Sequence, residues 1–187
     1  MTHTPSAAPS TWAIERGKID AAHTNIERSG GYGFYLDDKV TAETGQEVAT
    51  HATNYETFTV NGGGFILEEN PIELANPMYN VTSGKIIPIK LSDMLKVSIL
   101  FTASGYGGQS PYLEFQMDVG GTAGAFIHRS KGLLKNGDDF IDDVEFSAFV
   151  GTDFFGNGGL LQVRYDGTGS VKLFNKAIQV QRTYSAV

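Results

Sequence analysis

The sequence contains no cysteine. Neither disulfides nor thiolate metal sites can therefore hold the fold, and cysteine usage says nothing about redox compartment. Long hydrophobic runs are missing too. The strongest apolar stretch, near Val97 to Phe101, falls far short of the roughly 20 residues that cross a bilayer, so no membrane partner is expected. Positive charge is scarce: 14 Lys and Arg against 21 Asp and Glu leave a formal charge of −7. Nonspecific nucleic-acid binding needs clustered Lys and Arg, so no nucleic-acid partner is expected either. The opening residues MTHTPSAAPST lack the basic n-region and apolar h-region of a secretory signal, and export by such a signal is not expected.

Against these absences stand 41% apolar residues, 12 Phe, 8 Tyr and 23 Gly. Such a supply can bury a core without covalent staples. From Leu95 to Tyr184 apolar and polar residues alternate in short runs, and the breaks between runs are rich in glycine. Leu95, Val97, Ile99 and Phe101 form one apolar set, and Leu113, Phe115, Met117 and Val119 a second. Val144, Phe146, Ala148 and Val150 follow, then Leu161, Val163 and Tyr165, and last Ile178 and Val180. A period of two places alternate side chains on opposite faces of a strand. Repeated with turn signals between runs, it predicts an all-β, antiparallel jelly-roll sandwich.

The chain divides at the Ser29-Gly30-Gly31-Tyr32-Gly33 turn. Residues 1–28 read as an N-terminal arm, extended or weakly helical, and residues 29–187 as the jelly-roll domain. Trp12, Ile19 and Ile26 fall seven apart in the arm, although Gly17 would cost a helix about 1 kcal/mol. Phe34 to Asp37, Glu47 to Thr50 and Tyr55 to Val60 read as the first strands of the domain. Glu68 to Ser83, with Pro71, Pro77 and several Asn, reads as a long surface loop. Pro88 marks Lys85 to Lys90 as an edge strand.

Candidate chemistry is sparse. His3, His23, His51 and His128 have no partners at metal-ligand spacing, and the parity of His128 against Ile127 points it to solvent or a neighbouring subunit. The acidic run Asp138, Asp139, Asp142, Asp143 and Glu145 lacks the spacing of a Ca²⁺ loop and reads as a solvated loop between strands. Glu114 and Asp118 alternate along one strand face without a mark of desolvation, and no nucleophile–base pair suggests itself. The glycine clusters lack phosphate-loop spacing and read as hairpin turns. No enzyme activity, cofactor or metal is expected. Tyr32, Phe34, Tyr35, Tyr79, Tyr106 and Tyr112 fall in or beside loops, and such rings stack on sugars or anchor protein interfaces.

Three stretches then bear a resemblance. Asp93-Met94-Leu95-Lys96-Val97-Ser98-Ile99 opens a strand, and Leu113 to Gly121 ends one in paired glycines. Phe154-Phe155-Gly156-Asn157-Gly158-Gly159 leads into Leu160 to Tyr165 before Ser170 to Tyr184 closes the chain. This order of strands, turns and aromatics resembles the jelly-roll domains, related in shape to tumour necrosis factor, of tailed-bacteriophage virion proteins such as capsid decoration proteins and fibres. The resemblance implies a homotrimer, no shared catalytic residues, and a virion location after synthesis in bacterial cytoplasm. It implies most directly a capsid decoration (cement) protein whose partner is the major capsid protein. Trp12, Arg16, Lys18, Ile19, Ile26 and Arg28 would then be the capsid-binding residues of the arm. The competing reading is a tail or head fibre that recognises host surface glycans through Tyr79, Tyr106 and Tyr112.

Overall fold

The computed structural model describes residues 31–51, 53–69, 77–133 and 139–184. The arm residues Trp12, Arg16, Lys18, Ile19, Ile26 and Arg28 lie outside this range, as do His3 and His23.

The described residues form the strands β1 (Tyr32–Leu36), β2 (Gln46–Ala49), β3 (Glu56–Thr57), β4 (Phe65–Glu69), β5 (Tyr79–Asn80) and β6 (Lys85–Ile86). They continue with β7 (Met94–Ser104), β8 (Gly107–Asp118), β9 (Ala125–Gly132), β10 (Phe140–Phe149), β11 (Gly159–Thr168) and β12 (Ser170–Tyr184). One short helix, α1 (Thr152–Asn157), joins β10 to β11; it buries Phe154 and stops at Gly158, whose φ of 73° suits glycine.

The strands make two antiparallel sheets. The first has the order β10-β7-β12-β1-β4, with β2 also on β12; the second has β5-β6-β11-β8-β9, with β3 also on β11. From β6 onward the chain passes back and forth between them, so that β7 pairs with the distant β12 and β8 with the distant β11. This nested pairing is a jelly-roll sandwich. The period-two runs are its cause. Leu95, Val97, Ile99 and Phe101 on β7 are buried, as are Leu113, Phe115 and Met117 on β8. Phe101 meets Phe115 across the sandwich at 5.1 Å between ring centroids, and Phe58, next to β3 in the second sheet, meets Phe115 edge-on at 5.9 Å. Each fully buried side chain of this kind stabilises the fold by about 1.5–3 kcal/mol relative to exposure.

Two buried ion pairs fasten the sandwich. Arg182 on β12 holds Asp93 side-on, with Nη2 to Oδ1 at 2.9 Å and Nε to Oδ2 at 2.8 Å. Lys176 sits in a bulge of β12 next to Asn175, whose φ is 47°. Its ammonium lies 3.2 Å from Asp37, 3.0 Å from Gln46 Oε1 and 5.2 Å from the Phe58 ring centroid, and it donates to the Thr59 carbonyl. Burial holds this ammonium below the ordinary lysine range, with Asp37 opposing the shift.

The structure departs from expectation in four places. Tyr55 to Val60 gives only the two-residue β3, although Phe58 and Val60 are buried. The segment read as a surface loop from Glu68 to Ser83 contains the end of β4 and all of β5, with Met78 and Tyr79 in the core. β6 is flanked by β5 and β11 rather than lying at an edge, and Pro88 falls beyond it, where its missing N–H removes no ladder bond. Asp142, Asp143 and Glu145 lie within β10, not in a loop; Lys131 pairs with Asp142 at 3.1 Å and Lys96 with Glu145 at 2.7 Å.

Candidate functional site

The two outward sheet faces differ in chemistry, and each is set by strand register. On the first sheet a single cross-strand row runs from Leu36 of β1 through Ala177 of β12, which is buried, and Leu100 of β7 to Asp143 of β10. The neighbouring row aligns Phe174, Thr102 and Ile141. Ile141 is 79% exposed, Phe149 57% and Leu100 41%. Large exposed apolar residues on an edge strand invite contact with another surface, although Asp143 and the Glu145–Lys96 pair stand between Ile141 and Phe149. Phe34 and Tyr32 continue this face on β1, half-buried opposite Gln179 and Gln181.

The outward face of the second sheet is polar along β8 and β11. β8 and β11 oppose Tyr112 to Asp166, Glu114 to Arg164, and Gln116 to Gln162. Arg164 Nη2 donates to Glu114 Oε2 at 2.8 Å, and Gln116 Nε2 donates to Gln162 Oε1 at 2.6 Å. The Tyr55 hydroxyl donates to Glu114 Oε1, and its ring lies 5.3 Å from the Arg164 guanidinium carbon. Burial, together with the carboxylate that accepts its proton, pushes the Tyr55 phenol up to about 12. The Asp166 carboxylate likewise holds the Tyr112 phenol above its ordinary value, and Glu114 raises Arg164. On the β9 side Ser130 stands opposite Glu114 and Gly132 opposite Tyr112. A Cβ built on Gly132 would meet no atom within 4 Å, so the flank beside Tyr112 is open.

The structure separates the three tyrosines that the sequence offered as glycan binders. Tyr79 is 1% exposed: its ring meets Tyr35 at 5.1 Å, its hydroxyl accepts from Val60 N at 3.0 Å, and its own N–H donates to Tyr35 Oη. Tyr106 is also core. Tyr112 alone of the three stands on an outward face. Tyr55 and Arg164 were missed because the residues they meet are 59 and 50 positions away along the chain. The available signal was an opposite charge at outward parity on two strands, but sequence does not say that β8 and β11 are neighbours.

Glu114 is thus engaged rather than free, and Asp118 locks the following turn by accepting from Gly120 N at 2.8 Å. Gly120 and Gly121 form that turn with φ of 64° and 60°, and so bear out the hairpin reading of that cluster. Among the described residues no group of three His, Asp or Glu is placed to hold a metal ion. His51 is exposed, and the side chain of His128 lies outside the described residues.

No family model matches the sequence, and no curated protein matches it. Among solved structures the chain is similar to Eiger TNF from S. frugiperda, at 10% identity and a TM-score of 0.49, over 85% of this chain and 95% of that one. It is also similar to a chain of the T13 IBDV viral particle, at 11% identity and a TM-score of 0.35, over 82% of this chain and 50% of that one. Neither likeness speaks to a ligand, a partner or an activity of this chain.

Proposed function

We propose that this protein is a non-enzymatic structural component of a bacteriophage virion, a capsid decoration protein that binds the outer shell as a homotrimer and stabilises it. The observation that carries this reading is the outward face of the first sheet. Leu100 on β7 and Ile141 and Phe149 on the edge strand β10, 41%, 79% and 57% exposed, suit burial against copies of the same chain. Interfaces of permanent assemblies are apolar in this way. The sequence resemblance to phage jelly-roll proteins supplies the setting.

In this reading residues 1–28 reach across the major capsid protein. The 27 residues from Thr2 to Arg28 span up to about 90 Å when extended. Trp12, Ile19 and Ile26 are the apolar anchors, and Arg16, Lys18 and Arg28 meet acidic capsid surface. A protein that binds the assembled lattice and not its separated subunits shifts the equilibrium toward the intact shell. Removal of residues 1–28 tests the arm. The truncated protein is expected to stay soluble and folded and to lose binding to expanded capsids. Full occupancy by the truncated protein would remove the arm from the mechanism. Labelling confined to the tail would replace the decoration reading by the fibre one.

A further inference from the structure

We propose that the base of the sandwich, the end at which residues 1–30 join the domain, seats on the capsid, and that its cavity takes an apolar side chain projecting from the major capsid protein. This rests on the decoration reading and adds to it the part of the folded domain that touches the shell. Strand register defines the base. The Gly31 carbonyl accepts from Arg182 N at 2.8 Å, Arg182 stands opposite Leu95, and Leu95 opposite Ala148. Gly31 is therefore three strand spacings, about 14 Å, from the end of β10. The 30 residues before it join the domain at the same end as α1. A shell crossed by those residues lies under this end.

The base also carries apolar surface that the fold does not use. A cavity of about 320 Å³ lies where β10 passes into α1 beside the β8–β9 hairpin, lined among others by Val119, Ala123, Phe126, Phe149, Asp153 and Phe154. Val119 and Phe154 are core residues, and Phe126 meets Phe154 edge-on at 6.4 Å, so packed side chains form its walls. Phe155 on α1 is 48% exposed, and Leu91 is 45% exposed. Ser92 N donates to the Val150 carbonyl at 2.8 Å, and Val150 N to the Asp93 carbonyl at 2.9 Å, which ties the turn bearing Leu91 to the entry of α1. Seven large apolar side chains are exposed among the described residues, and Leu91, Phe149 and Phe155 place three of them at this end. Such a concentration marks a docking surface. Phe149 is where it meets the contact proposed between copies.

Size and chemistry define the occupant. The volume is at the lower end of those that enclose a ligand, and suits one projecting side chain better than a helix or strand. Its walls are apolar except near Asp153, whose carboxylate accepts from Ala123 N at 2.8 Å. An aliphatic or aromatic side chain fits such a lining, and an acidic one does not. Three residues and a cavity fall short of the roughly 20–30 residues a side of a stable interface. Residues 1–28 supply the rest. Two contacts joined in one chain raise each other's effective concentration, so each is weak alone and both are needed.

Co-sedimentation of the full chain with expanded phage capsids tests the base. Leu91→Asp/Phe155→Asp should weaken binding about tenfold. Ala123→Trp, which fills the cavity from an exposed hairpin, should weaken it as well, and carries the test if the double variant melts early. Val40→Asp replaces an equally exposed apolar residue beyond the far end of β1 and should bind as the wild type does. Light scattering should give every variant the wild-type mass. Base variants that bind as tightly as the wild type, or a Val40→Asp variant weakened as much as they are, overturn the seating and leave the decoration reading standing. Shells left bare by the wild type overturn both.

Discussion

Tyr79 shows how one side chain can serve two layers. Its ring fills core space against Tyr35, and its hydroxyl accepts the Val60 N–H, which has no water to turn to. Burial raises its phenol from an ordinary 10.0 to about 12, with the Asp37 charge adding to the shift. The folded chain therefore keeps a proton between pH 10 and about 12 that the unfolded chain has lost, and stability falls as pH rises through that window. The loss is of order 2 kcal/mol by the upper end. Tyr79→Phe is expected to cost about 1–3 kcal/mol at neutral pH, because Val60 N–H loses its acceptor, and to flatten the alkaline limb. Urea melts from pH 7 to 11 measure both effects; an unchanged alkaline limb would contradict them. Gly167 is a second residue whose identity is fixed by space. A Cβ there would sit 2.1 Å from Tyr165 Oη and 2.7 Å from the Gly107 carbonyl oxygen. Tyr165 Oη donates to that same oxygen at 2.8 Å and accepts from Gly107 N. Gly167→Ala is expected to lower stability by about 1–3 kcal/mol in a thermal or urea melt, whereas Gly169→Ala meets no neighbour and carries only the strain of its φ of 79°.

At the scale of elements, the strands legible in sequence were those whose inner and outer residues alternate without interruption. Leu95 to Phe101, Leu113 to Met117 and Val144 to Ala148 became parts of β7, β8 and β10, with Val119 and Val150 just past the strand ends, because one face of each meets the core and the other does not. The short strands were illegible for the converse reason. β5 and β6 are two residues each, too few to show a period, and their buried neighbours Met78 and Pro88 lie in loops. The polar ladder of β8 and β11 was half legible: outward parity was clear, partnership was not, since register belongs to the folded sheet. The β12 bulge was hidden as well, yet it aims Lys176 inward at Asp37. Lys176→Met leaves a carboxylate that is 2% exposed without its cation and is expected to cost about 3–5 kcal/mol. The double variant Asp37→Asn/Lys176→Met should regain much of that loss. A double-mutant cycle in urea checks the coupling, and additive costs would show that the pair does not act as a unit.

For the whole molecule, the proposed contact between copies rests on the exposed apolar residues of β7 and β10. If copies associate through the first face, Ile141→Asp or Leu100→Glu should shift the mass in light scattering from three times 20.2 kDa to 20.2 kDa without loss of fold. A wild-type monomer at micromolar concentration would count against the trimer. The most direct measurement is cryo-electron microscopy of expanded phage capsids incubated with the purified protein. Density for threefold-symmetric jelly-roll bodies on the outer shell, absent from capsids incubated with the chain lacking residues 1–28, is the expected result. Bare shells at saturating protein, or density only at the tail, would contradict the decoration role.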